Sequence, residues 1–357
     1  MSRKTFVIAE IGVNHNGDVN KATELVDAAV EAKASAVKFQ TFNVNDLTTR
    51  SASLAQYQTR SNISDETQYS MLEKLQLNQE DHRQLVEYCR IKKIEFMSTA
   101  FDIGSLDFLV NELNVSRLKV ASGEITNGPL LLAHGRTGIN VILSTGMANL
   151  LEIRQALNVL AYGYTEKGTP SGHDIKKILG STENHPALKD MVTLLQCTTQ
   201  YPAPKEEANI RAMIGMREEF GLDLGYSDHT TGITAAIVAV SLGATVIEKH
   251  LTLNKSSPGP DQKASLEPDE FCQMVRAIED AEACMGGNNK LPQPSEKENI
   301  IVARKSIVAA AIINKGDVFS AANLTAKRPG CGQTPMAYWE FLGRKSTRHY
   351  DKDELIV

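Results

Sequence analysis

Hydrophobic residues in this chain fall into short runs of strand length, and the runs alternate with stretches whose apolar positions recur every three to four residues. Eight such runs precede residue 255, at 6–11, 36–39, 94–98, 117–121, 140–144, 192–197, 222–226 and 245–250. Between them, residues 20–32 place Ala22, Leu25, Val26, Ala29 and Val30 on one helical face, and residues 80–92 do the same with His82, Leu85, Val86 and Cys89. Strand followed by helix, repeated in this way, predicts a (β/α)8 TIM barrel rather than an open doubly wound sheet. The turn after the first run supports that choice. It reads Ile11-Gly12-Val13-Asn14-His15-Asn16-Gly17-Asp18 and lacks the G-x-G-x-x-G pattern of dinucleotide-binding sheets.

Two stretches exceed what a minimal barrel needs. Residues 43–69 are polar and rich in Ser, Thr, Gln and Asn, a connection long enough to lie over the barrel mouth as a substrate loop. Residues 162–190 form an insertion at a βα connection, suited to a peripheral subdomain or an oligomer contact. After a helical segment at 268–285, the run beginning Gly286-Gly287-Asn288-Asn289 has the composition of a linker. The expected division is a catalytic barrel over 1–285, a linker over 286–300 and a small domain over 301–357. That last module is too short to bury much surface alone, and is expected to dock on a barrel, its own or a partner's.

Composition changes this picture mainly by exclusion. Apolar residues make up 42% and charged ones 23%, as in ordinary globular proteins, and no run of about 18 apolar residues exists to span a bilayer. Glu10 interrupts the first apolar run too soon for a signal-peptide core, so a cytoplasmic location is expected. The five cysteines, Cys89, Cys197, Cys272, Cys284 and Cys331, have no C-x-x-C spacing, which argues against a disulfide framework or a zinc cluster. A net charge of −5 offers no basic field for nucleic acid. Any anion bound here must be held locally.

The ends of the predicted strands supply such groups. They carry Glu10, Lys38 with Gln40, Lys119 with Ser122 and Glu124, Ser144, Thr198 with Tyr201, Ser227 with Asp228 and His229, and His250. Barrel enzymes place their chemistry at this C-terminal face. Lysines beside the hydroxyls of Ser122, Ser144 and Ser227 make a ring of donors for a phosphate and a carboxylate. Paired with Glu10 or Glu124, the same lysines would only close ion pairs, and any one serine could cap the next helix. His229 and His250, past two successive strand ends, suit one divalent metal, although two loop histidines bonded to backbone would look the same.

Ala9-Glu10-Ile11-Gly12-Val13-Asn14-His15-Asn16-Gly17, Val37-Lys38-Phe39-Gln40-Thr41, Ala121-Ser122-Gly123-Glu124, Leu143-Ser144-Thr145-Gly146-Met147, Tyr226-Ser227-Asp228-His229, Glu248-Lys249-His250 and Pro258-Gly259-Pro260-Asp261 form an ordered set of blocks. As a set they resemble the sialic acid (N-acetylneuraminate, or nonulosonic acid) synthases. The tail, with Ala303-Arg304-Lys305-Ser306 and Lys327-Arg328-Pro329-Gly330, is similar to the β-rich antifreeze-like (SAF) domain that ends those enzymes. The resemblance implies condensation of phosphoenolpyruvate with an open-chain N-acylated mannosamine and water, giving a nine-carbon acid and phosphate. It also implies Mn2+ or Mg2+ on His229 and His250, phosphoenolpyruvate on Lys38, Lys119, Ser122, Ser144 and Ser227, and a water-orienting or deprotonating Glu10. Gln40, Glu124, Tyr201 and Asp261 would face the sugar, with Asp261 also counted among the catalytic groups. Arg328 would reach the acylamino group across a domain-swapped homodimer. N-acetylmannosamine stands first as substrate. The stretches Gly123-Glu124-Ile125-Thr126-Asn127 and Met147-Ala148-Asn149-Leu150 look slightly closer to the branch that uses 2,4-diacetamido-2,4,6-trideoxymannose and yields N,N'-diacetyllegionaminate. Thr198-Thr199 departs from the pattern, standing where some members place an Asn against the phosphate. A Schiff-base pyruvate aldolase using Lys119 or Lys38 is the rival enzyme, and a carbohydrate-binding tail on a structural barrel the rival of another class.

Overall fold

The computed structural model describes residues 4–55, 58 and 67–357. Eight parallel strands close into a barrel in sequence order: β1 Phe6–Gly12, β2 Ala36–Thr41, β3 Glu95–Ala100, β4 Arg117–Val120, β5 Asn140–Ser144, β6 Val192–Cys197, β7 Asp223–Asp228 and β8 Val246–His250. Pairing of Glu10 with His250 completes the circle between β1 and β8. The TIM-barrel expectation is borne out.

Local chemistry sets the helices between the strands. The helix Val19–Glu31 starts where the Asp18 side chain accepts the Asn20 amide, and it buries Ala22, Leu25, Val26, Ala28 and Ala29. The helix Gln79–Lys92 opens with a capping box between Asn78 and Asp81, buries His82, Leu85 and Cys89, and ends at Lys93 in the left-handed region. Such faces join the outward-pointing strand residues, including Val7, Ala9, Val37, Phe39, Leu118, Leu143, Tyr226 and Ile247, in one continuous core. A separate cluster of Ile8, Ala36, Met97, Ile142, Leu195 and Val246 plugs the barrel interior. Successive strand residues point to opposite sides, so these two layers fix which residues look into the mouth.

Some strand ends lie beyond the hydrophobic pattern. Ser227 and Asp228, read as following the seventh strand, are its last two residues, because Cys197 pairs with Ser227 and Asp228 with Lys249. The ladder overrides their polarity. The connection 43–69 contains the helix Val44–Leu47, and residues 56–57 and 59–66 of it lie outside the described residues. The following helix is Gln68–Leu75. In the insertion 162–190, the preceding helix Leu150–Thr165 runs on into the segment, and a helix Gly172–Gly180 follows.

The chain divides into two compact units, Met1–Gly286 and Gly287–Val357. In the second, a helix Lys297–Ala303 occupies part of the stretch read as linker. Strands β9 Ser306–Ala309 and β10 Leu324–Lys327 pair antiparallel beside a small core of Ile307, Ile313, Phe319, Leu324, Tyr350 and Ile356. Among the described residues, no helix is long and apolar enough to cross a membrane.

Candidate active site

One residue pair beyond the apolar plug, the inward positions turn polar. Ile8 is succeeded by Glu10, Ala36 by Lys38, Met97 by Thr99, Ile142 by Ser144, Leu195 by Cys197 and Val246 by Glu248. Lys119 of β4 and Ser227 of β7 complete the layer. Together with the loops above, this ring lines a cavity of about 340 Å3 that contains Glu10, Lys38, Gln40, Lys119, Ser122, Glu124, Ser144, Tyr201, Ser227, His229, His250 and Asp261. Of the barrel residues singled out at the strand ends, only Thr198 and Asp228 are not in this lining. Arg328 belongs to the second unit, where its Nε donates to the Ala303 carbonyl at 3.0 Å.

The floor of the cavity is an alternation of charge. Lys38 Nζ lies 2.5 Å from Glu10 Oε2 and 3.7 Å from Glu248 Oε2, while Lys119 Nζ lies 3.6 Å from Glu248 Oε1. Lys38 also donates to Thr99 Oγ1 at 3.1 Å and Lys119 to Ser144 Oγ at 2.7 Å. Burial opposes the charge on Lys38, but Glu10 and Glu248 outweigh it and raise its pKa. Burial prevails at Lys119, whose ammonium is held below the ordinary value despite Glu248. The two carboxyls divide in opposite directions. Burial pushes Glu10 up, against Lys38 and with help from the charge of Glu248. Glu248 is buried too, yet Lys119, Lys38 and the Ser227 hydroxyl, donating at 2.8 Å, hold it down. Environments that push two acids apart in this way suit one to carry a proton while the other stays charged. Gly12 lets the arrangement form: at φ +54° it takes a left-handed turn, and a Cβ there would stand 2.8 Å from Glu10 Oε1 and 3.2 Å from Gln40 Nε2.

The histidines stand at the ends of β7 and β8. Their ring centroids are 5.6 Å apart, with Tyr201 packed 4.2 Å from His229 and 5.7 Å from His250. His229 Nδ1 donates to the Thr198 carbonyl at 2.7 Å, which leaves Nε2, 3.4 Å from Ser227 Oγ, as the unprotonated nitrogen. Burial lowers His229 to about 4 and His250 well below its ordinary value, so both rings are neutral. The buried Nδ1 of His250 has no hydrogen-bond partner and lies 3.8 Å from Asp261 Oδ2. Burial raises Asp261 to about 6. Two neutral imidazoles, one oriented by a carbonyl and one with an orphaned nitrogen, fit a divalent metal. Among the described residues no three His, Cys, Asp or Glu side chains converge as a metal cage, so two imidazoles would leave most of the coordination sphere to other ligands.

The loops after β1 and β8 are tied together behind the histidines. Asn14 Nδ2 donates to the Leu251 carbonyl at 2.9 Å and to Ser265 Oγ at 2.8 Å, and Gln262 Nε2 donates back to the Asn14 carbonyl at 3.1 Å. That network holds the segment carrying Asp261 against the end of β1. The sequence reading missed Glu248 and Thr99 as members of the floor. Period-two counting inward from Val246 and Met97 would have found both. Thr199 lines the cavity with a buried hydroxyl that has no hydrogen-bond partner. A larger cavity of about 580 Å3, between the helices Gly128–Arg136, Leu150–Thr165 and Gly172–Gly180, is mainly apolar and has no lysine or histidine in its lining.

Comparison with known proteins accords with this geometry. The chain is 45% identical over 354 residues to an N,N'-diacetyllegionaminic acid synthase of Campylobacter jejuni, covering 99% of each. It is 42% identical over 344 residues to one of Legionella pneumophila, covering 96% of this chain and 91% of that protein. The crystal structure of an N-acetylneuraminic acid (sialic acid) synthetase from Leptospira borgpetersenii, in complex with citrate, superposes with a TM-score of 0.67 at 31% identity, covering 83% of this chain and 90% of the other. The SAF domain model matches residues 304–357, and the NeuB family model matches residues 25–290. The chain thus belongs to the NeuB family, synthases of nonulosonic acids, and carries a SAF domain at its C-terminal end.

Proposed function

We propose that this synthase condenses phosphoenolpyruvate with the open-chain form of 2,4-diacetamido-2,4,6-trideoxymannose and water, releasing phosphate and N,N'-diacetyllegionaminate. The sequence alone put N-acetylmannosamine first. The two relatives at 45% and 42% identity are both N,N'-diacetyllegionaminic acid synthases, and they favour the second sugar. The observation that carries the reaction is the convergence of two lysines, three serines and two neutral histidines on one cavity.

In this reading Lys38, Lys119, Ser122, Ser144 and Ser227 hold the phosphate and carboxylate of phosphoenolpyruvate, the lysines turning from Glu10 and Glu248 to the ligand. Gln40, Glu124, Tyr201 and Asp261 hold the sugar so that its aldehyde carbon faces C3 of the enol. His229 and His250 would hold Mn2+ or Mg2+, which when bound supplies Lewis-acid polarisation of the aldehyde. A bond forms between C3 and the aldehyde carbon as the C=O π electrons pass to the aldehyde oxygen. Water, oriented and deprotonated by Glu10, adds at C2, and the proton Glu10 takes up goes to that oxygen; the C2–O bond to phosphate then breaks as the new C2 hydroxyl becomes the ketone and its proton leaves with phosphate. The SAF unit of one subunit covers the barrel of its partner in a swapped homodimer, with Arg328 reaching the acylamino group. All five cysteines are free, and the cytoplasm is the compartment that suits this chemistry.

A Schiff-base aldolase is the second reading, favoured by the lowered pKa of Lys119. One assay separates them. Phosphate release from phosphoenolpyruvate with the diacetamido sugar, abolished by EDTA and restored by Mn2+, is the expected result. A lysine adduct trapped by borohydride with pyruvate would overturn it.

A further inference from the structure

Above its charged floor the cavity has one wall of a different character. Val13, Leu47, Met71, Leu72, Leu75 and Phe101 line it at the segments that follow β1, β2 and β3, and they pack together as a cluster with Phe42, while Gln58 and Gln68 of the same insertion add polar groups to the lining. Four of the six come from the helices Val44–Leu47 and Gln68–Leu75, both inserted between β2 and β3. Val13 and Leu75 are buried, whereas Leu47, Met71, Leu72 and Phe101 are only half-buried, which leaves part of their surface to the cavity. A satellite core beneath a long connection would account for the packing. It does not account for its place in the lining of the cavity that also holds the two histidines.

We infer that this wall sets sugar specificity by receiving the apolar substituents at the far end of the substrate, its C6 methyl and the methyl of its C4 acetamido group. The inference rests on the proposed condensation and names the surface that selects its sugar. With the aldehyde at the histidines and the chain passing Gln40, the distal carbons lie toward the inserted helices. N-acetylmannosamine bears hydroxyls at both C4 and C6, and a half-buried thioether or isobutyl group offers them no partner. An apolar pocket rejects a hydroxylated analogue only moderately, so the expected preference in kcat/KM is about 10- to 100-fold.

The test compares both sugars, with phosphoenolpyruvate, in the intact enzyme and in Met71→Gln and Met71→Leu. Met71→Gln keeps side-chain length and helix propensity while making the wall polar. It should lower the preference for the diacetamido sugar about ten-fold, with KM for phosphoenolpyruvate little changed, and Met71→Leu should retain the preference. A parallel fall with both sugars, or an unaltered ratio in Met71→Gln, would overturn the inference while leaving the condensation in place. No phosphate release with either sugar in the unmodified enzyme would overturn the proposed function, and this inference with it.

Discussion

Asp228 and Lys249 form a salt bridge of 2.9 Å between β7 and β8, with neither side chain exposed to solvent. The two are register partners, each immediately precedes a histidine of the site, and both point away from the barrel interior. Lys249 Nζ also donates to the Thr230 carbonyl, and the Asp228 carboxylate accepts from the Thr230 amide at 2.9 Å and its hydroxyl at 2.8 Å. A fully buried ion pair gains little over an apolar pair in stability, but it fixes a geometry. Here it clamps the two strand ends whose next residues are His229 and His250.

Removing one partner should therefore cost more than removing both. Lys249→Met leaves the Asp228 carboxylate buried and unpaired, with an expected loss of about 3–5 kcal/mol in urea unfolding. Asp228→Asn combined with Lys249→Met should recover part of that loss. Calorimetric Mn2+ titration of the double variant should show weakened binding from relaxed histidine spacing. Affinity equal to that of the unmodified protein would mean that the clamp does not position the metal pair.

Glu248 lies 3.7 Å from Lys38 and 3.6 Å from Lys119, so in the proposed reaction its charge would compete with phosphoenolpyruvate for them. Glu248→Gln should lower KM for phosphoenolpyruvate several-fold, because the lysines lose a carboxylate rival. If Glu248 also orders the groups around Glu10, kcat should fall by about 100-fold in the same variant. Steady-state kinetics with varied phosphoenolpyruvate distinguishes the two effects, and a raised KM would contradict the competition.

His134 and His15 are buried away from His229 and His250, and burial lowers both to about 4 from an ordinary 6.5. The unfolded chain takes up protons below about 6.5, whereas the fold takes none at these rings until about 4. Their contribution to stability is complete above pH 6.5 and declines as the pH falls from 6.5 toward 4, by up to about 1.4 kcal/mol per pH unit for each ring. Urea unfolding across this window should show the decline. His134→Leu should remove one ring's share of the slope.

If the proposed swapped dimer holds, defective chains should complement each other. His250→Ala disables a barrel and Arg328→Ala disables a tail, so each homodimer should be weak. In mixed dimers one barrel with intact histidines meets an intact Arg328, and activity should return after co-refolding. If mixing restores nothing although sedimentation shows mixed dimers, Arg328 does not act across subunits.

The legible part of this protein lay in its periodicities. The apolar run from Phe6 to Ile11 and the helical face of Leu25, Val26 and Ala29 are written in the residues themselves, and strand geometry then puts Ile8 and Glu10 on one side of β1 and Val7 and Ala9 on the other. Glu10, Lys38 and His250 stood out because each lies within one residue of the end of its apolar run. Glu248 did not, since it sat inside its run as an ordinary strand interruption. The polar end of β7 was likewise assigned to a loop, because composition at Ser227 and Asp228 argues against a strand and only pairing with β6 and β8 argues for one.

Sequence by itself determined the eight-fold repeat, the two faces of each strand and the kind of chemistry at the strand ends, all of which depend on neighbours a few residues apart. Tertiary structure decided which charges meet. Glu10, Lys38, Lys119 and Glu248 are up to 238 residues apart in the chain, yet they share one floor because barrel closure sets a single register around all eight strands. The apolar wall from Leu47, Met71 and Leu72 arises in the same way, since an inserted segment acquires a function only from the mouth over which the closed barrel holds it.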